Sequence, residues 1–271
     1  MPEPSTAGSA DRPDRTVARP RLTVSNVSKS FSGRTVVDVD SLTLGDHPIE
    51  GLIGPNGAGK TTLMRLIMGS LKADSGQIRL EREGQRPVEL SRLPAHRIAQ
   101  RGVVKTNQVI TDFEGLTILD SLLLSVTSAR REHPLRLLNG ERATYEENRA
   151  AIDRQLAHFG LENTRRPALS AGEKKLVDII RCLLLRPAVL LLDEPTAGLP
   201  GDVTQKVMDA VANLAADGTT CVIIEHDLDV IWNLCAQVTF MAEGRVLLRG
   251  KPSDIRQHKT VVESYLGQGH V

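Results

Sequence analysis

Glu50-Gly51-Leu52-Ile53-Gly54-Pro55-Asn56-Gly57-Ala58-Gly59-Lys60-Thr61-Thr62 runs from a short apolar strand through a glycine-rich turn. From residue 60 to 68 the apolar side chains recur at helical spacing, so the turn joins a strand to a helix. Its central stretch satisfies the pattern Gly-x-x-x-x-Gly-Lys-Ser/Thr in full, which is built for phosphate. Glycines let the backbone wrap round an anion, while backbone N–H groups and the start of the following helix supply positive potential. In that pattern Lys60 reaches the outer phosphates and the Thr61 hydroxyl ligates magnesium.

A second stretch carries the acids that such a site needs. Val189-Leu190-Leu191-Leu192 reads as a buried strand and ends in Asp193-Glu194, where a parallel sheet presents its ligands. Successive side chains on a strand point opposite ways, so Asp193 can hold the metal through water while Glu194 polarises an attacking water. Read alone, Asp-Glu-Pro is an ordinary helix-start sequence. A short helix upstream lies the small-residue turn Leu169-Ser170-Ala171-Gly172-Glu173, which opens that helix.

Outward from these stretches the pattern predicts an α/β fold. The apolar alternation at Leu22, Val24 and Val27, then Val36, Val37, Val39, Leu42 and Leu44, predicts short half-buried strands about a Ser32-Gly33 turn, an antiparallel layer. A strand is expected over 76–80, a short helix over 95–100, and a strand at Val103-Val104. Ile118, Leu119, Leu122, Leu123 and Val126 share one helical face, which opens a mostly helical segment over about 112–167. Helix and strand then alternate, with helices over 172–185 and 203–215 and strands over 189–192 and 220–224, the signature of a helix-covered parallel sheet. Strands over 238–241 and 246–248 about Glu243-Gly244, and a helix over 261–266, complete the pattern. Residues 1–20 are rich in Pro, Ser, Ala, Arg and Asp with no apolar period, and are expected to form a disordered leader.

Composition narrows the partners. With 34 Lys and Arg against 33 Asp and Glu, no overall positive field gathers nucleic acid or an anionic membrane surface. Aromatics at 3% leave little material for base-stacking platforms, so no nucleic-acid partner is expected. Cys182, Cys221 and Cys235 form no Cys-x-x-Cys pair, and an odd count suits buried thiols in a reducing interior. No apolar run is long enough for a membrane span, and the N-terminus lacks the apolar core of a signal peptide, so the chain is expected neither to be secreted nor to span a membrane by itself.

Three further residues stand where a nucleotide site would use them. Gln108 follows the strand at Val103-Val104 and can reach the metal or the water; alone it is a solvated loop glutamine. His226 follows the 222–224 strand and Glu225, and can contact the outer phosphate; a lone histidine is usually structural. Phe31 stands before Ser32-Gly33, where its ring can stack on adenine; by itself it reads as core.

Together these residues resemble the ATP-binding-cassette ATPases, over about residues 22 to 266. The resemblance implies a P-loop NTPase fold, with a mixed sheet core, an antiparallel β layer and a helical subdomain at about 112–167 inserted in a RecA-like core, all within residues 21–271. It makes Phe31 the adenine-stacking position and Gly54, Pro55, Asn56, Gly57, Ala58, Gly59, Lys60, Thr61 and Thr62 the loop on ATP. Thr61, Gln108 and Asp193 become the magnesium residues, and Glu194 the catalytic base, with Lys60, Gln108 and His226 beside it. Gln108 also senses the transport partner. Ser170, Ala171, Gly172 and Glu173, after Leu169, become the family signature, which caps the ATP of an opposite subunit in a head-to-tail pair.

Narrower features resemble importers of branched-chain amino acids and of urea or short amides: Leu93-Pro94-Ala95-His96-Arg97-Ile98-Ala99, the long helical insert, Ile223-Ile224-Glu225-His226-Asp227, and Val262-Glu263-Ser264-Tyr265-Leu266-Gly267. That branch implies a second ATPase subunit, identical or paralogous, integral membrane permease subunits, a substrate-binding protein, and a place on the cytoplasmic face of the cell membrane. Lipid-exporting ATPases share the tail. A soluble cluster-assembly ATPase, or a regulatory nucleotide binder without turnover, is the rival class. Two residues depart from the pattern: Ala171 adds a methyl where the family has Gly, and Pro200 stands where the loop after Glu194 normally carries Asp. Proline brings no N–H and no carboxylate, so contacts of that loop across a dimer must differ.

Overall fold

The computed structural model describes residues 19–106, 117–130, 141–161 and 169–266. Gln108 and residues 1–18 of the expected leader lie outside them. The described contacts begin ahead of the expected boundary. Arg19 Nη1 donates to the Ala215 carbonyl at 2.5 Å, and the Pro20 carbonyl accepts from Thr220 Oγ1 at 2.6 Å. These two residues, counted with the leader on composition, are tied to the end of α6 (Gly201–Ala216) and to the strand that begins at Thr220.

The first layer is the expected hairpin, with longer strands. β1 (Arg21–Phe31) and β2 (Arg34–Leu44) pair antiparallel from Leu22 opposite Leu44 to Phe31 opposite Arg34. The two-residue turn puts Ser32 at φ 48° and Gly33 at φ 81°, the left-handed pair whose twist matches that of the strands. β4 (Ser75–Glu81) takes the other edge of β1, and the two-residue β5 (Val88–Glu89), not anticipated from sequence, follows it.

The second sheet holds six strands in the order β10-β9-β3-β8-β7-β6. Its members are β3 (Ile49–Ile53), β6 (Val103–Lys105), β7 (Val189–Asp193), β8 (Thr220–Ile224), β9 (Gln237–Ala242) and β10 (Arg245–Gly250). All neighbours run parallel except β10, which turns back antiparallel on β9. The alternation of side chains divides the interior in two. Val189 and Leu191 join the core under the small sheet and α1 (Lys60–Ile67), while Leu190 and Leu192 face the opposite core, packed by the helices. Each of these four is fully buried, a contribution of roughly 1.5–3 kcal/mol per side chain.

Helices α3 (Ile118–Arg130), α4 (Glu141–Phe159) and α5 (Ala171–Leu184) pack against one another on that second face. Ile118, Leu122, Leu123 and Val126 are buried as their shared helical face predicts. α2 (Ala95–Gln100) and α6 (Gly201–Ala216) connect strands, while α7 (Leu228–Leu234) and α8 (Pro252–Gln257) were not expected. α9 (Lys259–Leu266) returns to the start of the phosphate loop. Among the described residues, Cys182, Cys221 and Cys235 are all free and buried.

Candidate functional site

β3 ends at Ile53, and the chain then turns through Gly54 at φ 148°, where any Cβ would collide with the Met241 carbonyl oxygen. Gly54 N–H donates to the Tyr265 hydroxyl of α9 at 3.0 Å. Gly59, at φ 96°, N-caps α1; a Cβ there would lie 2.5 Å from the Val36 carbonyl oxygen. The helix start has no side-chain cap and no acid in its first turn, so its orphan N–H donors stay available to an anion.

Lys60 is 6% exposed, and its Nζ donates to the carbonyls of Gly54 at 2.6 Å and Pro55 at 3.0 Å. Burial pushes its pKa down, while the charges of Glu194 and Asp193 pull it back up. The ammonium expected on the outer phosphates is therefore parked on its own loop, beside the cavity those phosphates would enter. That cavity has a volume of about 180 Å³ and is lined by Val36, the segment 56–62, Glu194, Ile224 and His226. Its size suits the end of a phosphate chain rather than a whole nucleotide.

Asp193 closes β7 and its side chain is wholly buried, with Lys105 Nζ 3.0 Å from Oδ2. Beyond this ion pair neither carboxylate oxygen has a hydrogen-bond partner. Its backbone N–H donates to Thr106 Oγ1 at 3.0 Å. Glu194 then leaves the strand at φ 51°, with its N–H on the Ile224 carbonyl at 2.8 Å. This left-handed step is unusual for a residue with a Cβ. It turns the carboxylate into the cavity, where Glu194 Oε1 stands 3.0 Å from His226 Nε2. Neighbouring strands β7 and β8 thus deliver the two groups together.

A smaller cavity of about 140 Å³ lies behind, lined by Thr106, Lys175, Asp178, Ile179, Asp193, Glu194 and Pro195. Glu194 borders both cavities; Asp193 borders only this one. Among the described residues no group of three or more His, Cys, Asp and Glu side chains is placed to hold a metal ion alone. A buried carboxylate that is ion-paired through one oxygen, and whose charge acts on Lys60 of the loop, still fits magnesium, which takes few protein ligands and shares phosphate oxygens.

The other expected residues are placed apart. Ser170 N-caps α5 in a capping box: its Oγ accepts from Glu173 N–H at 3.2 Å, and its own N–H donates to Glu173 Oε2 at 2.9 Å. None of Ser170, Ala171, Gly172 or Glu173 lines the phosphate-loop cavity. Phe31 is 44% exposed, with the Lys29 ammonium 5.5 Å from its ring centre. Its reading as core is wrong, because it stands beside the exposed turn of the hairpin, opposite Arg34, and it too lies outside the cavity lining. Pro200 N-caps α6 in an extended conformation without a side-chain hydrogen bond. Sequence reasoning missed Lys105, Lys175 and Tyr265, whose partners come from distant elements. The Ser-x-x-Glu spacing of Ser170 and Glu173 did carry the capping-box signal.

Comparison with known proteins agrees with this architecture. Residues 37–197 match the family model described as ABC transporter. The high-affinity branched-chain amino acid transport ATP-binding protein LivG of Salmonella typhimurium is 34% identical over 262 residues, covering 93% of this chain and 100% of that protein. The lipopolysaccharide export system ATP-binding protein LptB of Haemophilus influenzae is 31% identical over 250 residues, covering 91% of this chain and 97% of that one. The crystal structure of the ADP conformation of MJ1267, an ATP-binding cassette of an ABC transporter, superposes with a TM-score of 0.74 at 28% identity, over 92% of this chain and 99% of that chain.

Proposed function

This chain belongs to the ABC transporter family as one of its nucleotide-binding ATPase subunits, and from that premise we propose that it energises an importer of branched-chain amino acids, urea or short amides. The observation that carries the catalytic part is the Glu194–His226 pair at 3.0 Å on the wall of the phosphate-loop cavity. Full-length likeness to LivG supports the importer branch.

On this reading residues 21–271 form one ATPase domain with its helical subdomain at about 112–167. ATP lies with its phosphates on the N–H groups of the 54–62 loop and on α1, and its adenine against Phe31. Lys60 exchanges its two carbonyl partners for phosphate oxygens. Glu194 takes a proton from water attacking the outer phosphate in line, and His226 holds the Glu194 carboxylate toward that water. Thr61, Asp193 and Gln108 would hold magnesium, which when bound neutralises phosphate charge.

A second ATPase subunit completes the site. Its signature turn, the equivalent of Ser170, Ala171, Gly172 and Glu173, brings N–H groups to the outer phosphate, as Ser170 does for the opposite subunit. Pro200 supplies no carboxylate to that interface, which favours an unlike partner that does. Among the described residues no helix is long and apolar enough to cross a membrane. On this reading integral permease subunits provide the path and a substrate-binding protein delivers the solute. The ATPase works at the cytoplasmic face, bound to the permease.

Detergent extraction tests the reading. The full chain should co-purify with polytopic membrane proteins, and ATP hydrolysis by that assembly in vesicles should rise with the loaded binding protein for one of the named solutes. Recovery without membrane subunits would favour a cluster-assembly role. Stimulation by lipid instead would favour export, in line with the likeness to LptB.

A further inference from the structure

Lys175 lies on α5, five residues after Ser170, and reaches across to the loop that follows β7. Its Nζ donates to the Glu194 carbonyl at 2.9 Å and to the Ala197 carbonyl at 2.7 Å. Charge-assisted bonds of this length are among the stronger ones in a protein, and here both end on main chain. Glu194 has the left-handed backbone at φ 51°, so its orientation depends on what holds the peptide groups on either side. The N–H side is held by the Ile224 carbonyl at 2.8 Å, and the carbonyl side by Lys175.

The rest of the loop is fastened in two directions. Thr196 donates through both N–H and Oγ1 to Glu225 Oε1, each at 2.7 Å, which anchors it to the strand carrying His226. On the other side a Cβ built on Gly172 would lie only 3.3 Å from Leu199 Cδ2, so the first turn of α5 rests directly on the same loop. Lys175 is the polar part of this attachment and Gly172 against Leu199 the apolar part. Ser170 and Lys175 are separated by about 7.5 Å along the helix axis, a distance over which a helix moves as a rigid body.

We propose that Lys175 is a positioning residue for hydrolysis, setting the Glu194 main chain from the helix that the signature turn opens. A shift of α5 is then transmitted to the Glu194 carboxylate. The inference rests on the reading that Glu194 is the base and that the start of α5 engages the nucleotide of an opposite subunit. On that reading, occupancy at one nucleotide site adjusts the base of the other through Lys175.

The test uses the full chain purified with its co-eluting subunits, and compares Lys175→Met, Lys175→Arg and Glu194→Gln. Lys175→Met is expected to keep ATP affinity within about two-fold while kcat falls about ten-fold, the effect of losing a charge-assisted bond. The Hill coefficient for ATP should fall toward one. Lys175→Arg, which still offers two donors to two carbonyls, should recover most of the rate. Wild-type kcat and Hill coefficient in Lys175→Met beside an inert Glu194→Gln would overturn the role of Lys175 and leave the base intact. Wild-type turnover in Glu194→Gln would overturn the base assignment itself. A Lys175→Met chain that loses affinity and thermal stability together, with no rescue by Arg, has lost a structural residue, and the proposal falls. Where Lys175→Met does not fold, Lys175→Gln decides: a stable chain that binds ATP normally with kcat lowered several-fold supports the proposal, and wild-type kcat and Hill coefficient overturn it.

Discussion

His226 Nε2 stands 3.0 Å from Glu194 Oε1, each at the end of its own strand, and the two strands are neighbours in the sheet. The pair faces the cavity of the phosphate loop, while Asp193, one residue earlier, points into the cavity behind. Two adjacent carboxylates are thereby separated in both position and environment.

Glu194→Gln should leave ATP binding within a few-fold of the parent and lower turnover by about two orders of magnitude or more, as loss of a general base does. His226→Ala should lower kcat less, about ten-fold or more, because Glu194 stays but loses the group that orients it. Steady-state phosphate release and equilibrium nucleotide binding check both, and an unaltered rate in Glu194→Gln excludes the assignment.

Lys60→Met removes a buried charge whose pKa is held down by desolvation, along with two carbonyl bonds. These losses oppose each other in the free chain, so its Tm should move by only a few degrees, about the shift expected for 1 kcal/mol. Nucleotide triphosphate affinity should nevertheless drop ten-fold or more, since the charged partner of the phosphates is gone. Calorimetric titration and a thermal melt of the same sample measure the two effects side by side.

Two glycines of the loop separate packing from backbone strain. Gly54→Ala places a methyl against the Met241 carbonyl and should prevent folding or lower Tm severely. Gly57, at φ 79°, has nothing within 4 Å of a built Cβ, so Gly57→Ala should cost only about 1–2 kcal/mol of left-handed strain. Equal melting temperatures for the two variants would contradict the structure.

The three thiols predict an alkaline limit. Burial pushes Cys182, Cys221 and Cys235 from the ordinary 9.0 up to about 12. A folded-state pKa raised in this way gives stability that is full below pH 9 and lost as pH climbs toward 12, because the unfolded chain releases its protons first. Urea midpoints should therefore decline across that window, and replacing the three cysteines with Ala or Val should flatten the decline. At pH 8 a thiol reagent should label none of them in the native chain and all three in denaturant.

Much of this was legible from local pattern. The phosphate loop, the Ser32-Gly33 hairpin and the acid-ended strand each carry their signal within a dozen residues. What was not legible depends on side chains meeting across the fold. Lys105 pairs with Asp193 because β6 lies beside β7, and no spacing in the sequence announces that adjacency. Lys175 reads as one more lysine on a helix until α5 is set against the Glu194 loop. Arg19 and Pro20 look like leader by composition, and only their bonds to the end of α6 and the start of β8 show them to be held. α7 and α8 are short, yet Asp227 accepts from Asp229 N–H as an N-cap and Pro252 opens α8, and both signals were present. Gln108 lies outside the described residues.

The bond from Gly54 N–H to the Tyr265 hydroxyl spans 211 positions of chain, and the strand leading into the loop is flanked by β8 and β9, both from the last quarter of the sequence. During translation the phosphate loop therefore leaves the ribosome long before Tyr265 and the two strands that flank β3. At common elongation rates it waits roughly ten to forty seconds for Tyr265 to follow. A chain cut short before residue 220 carries the complete phosphate motif without β8, β9 or Tyr265 beside it.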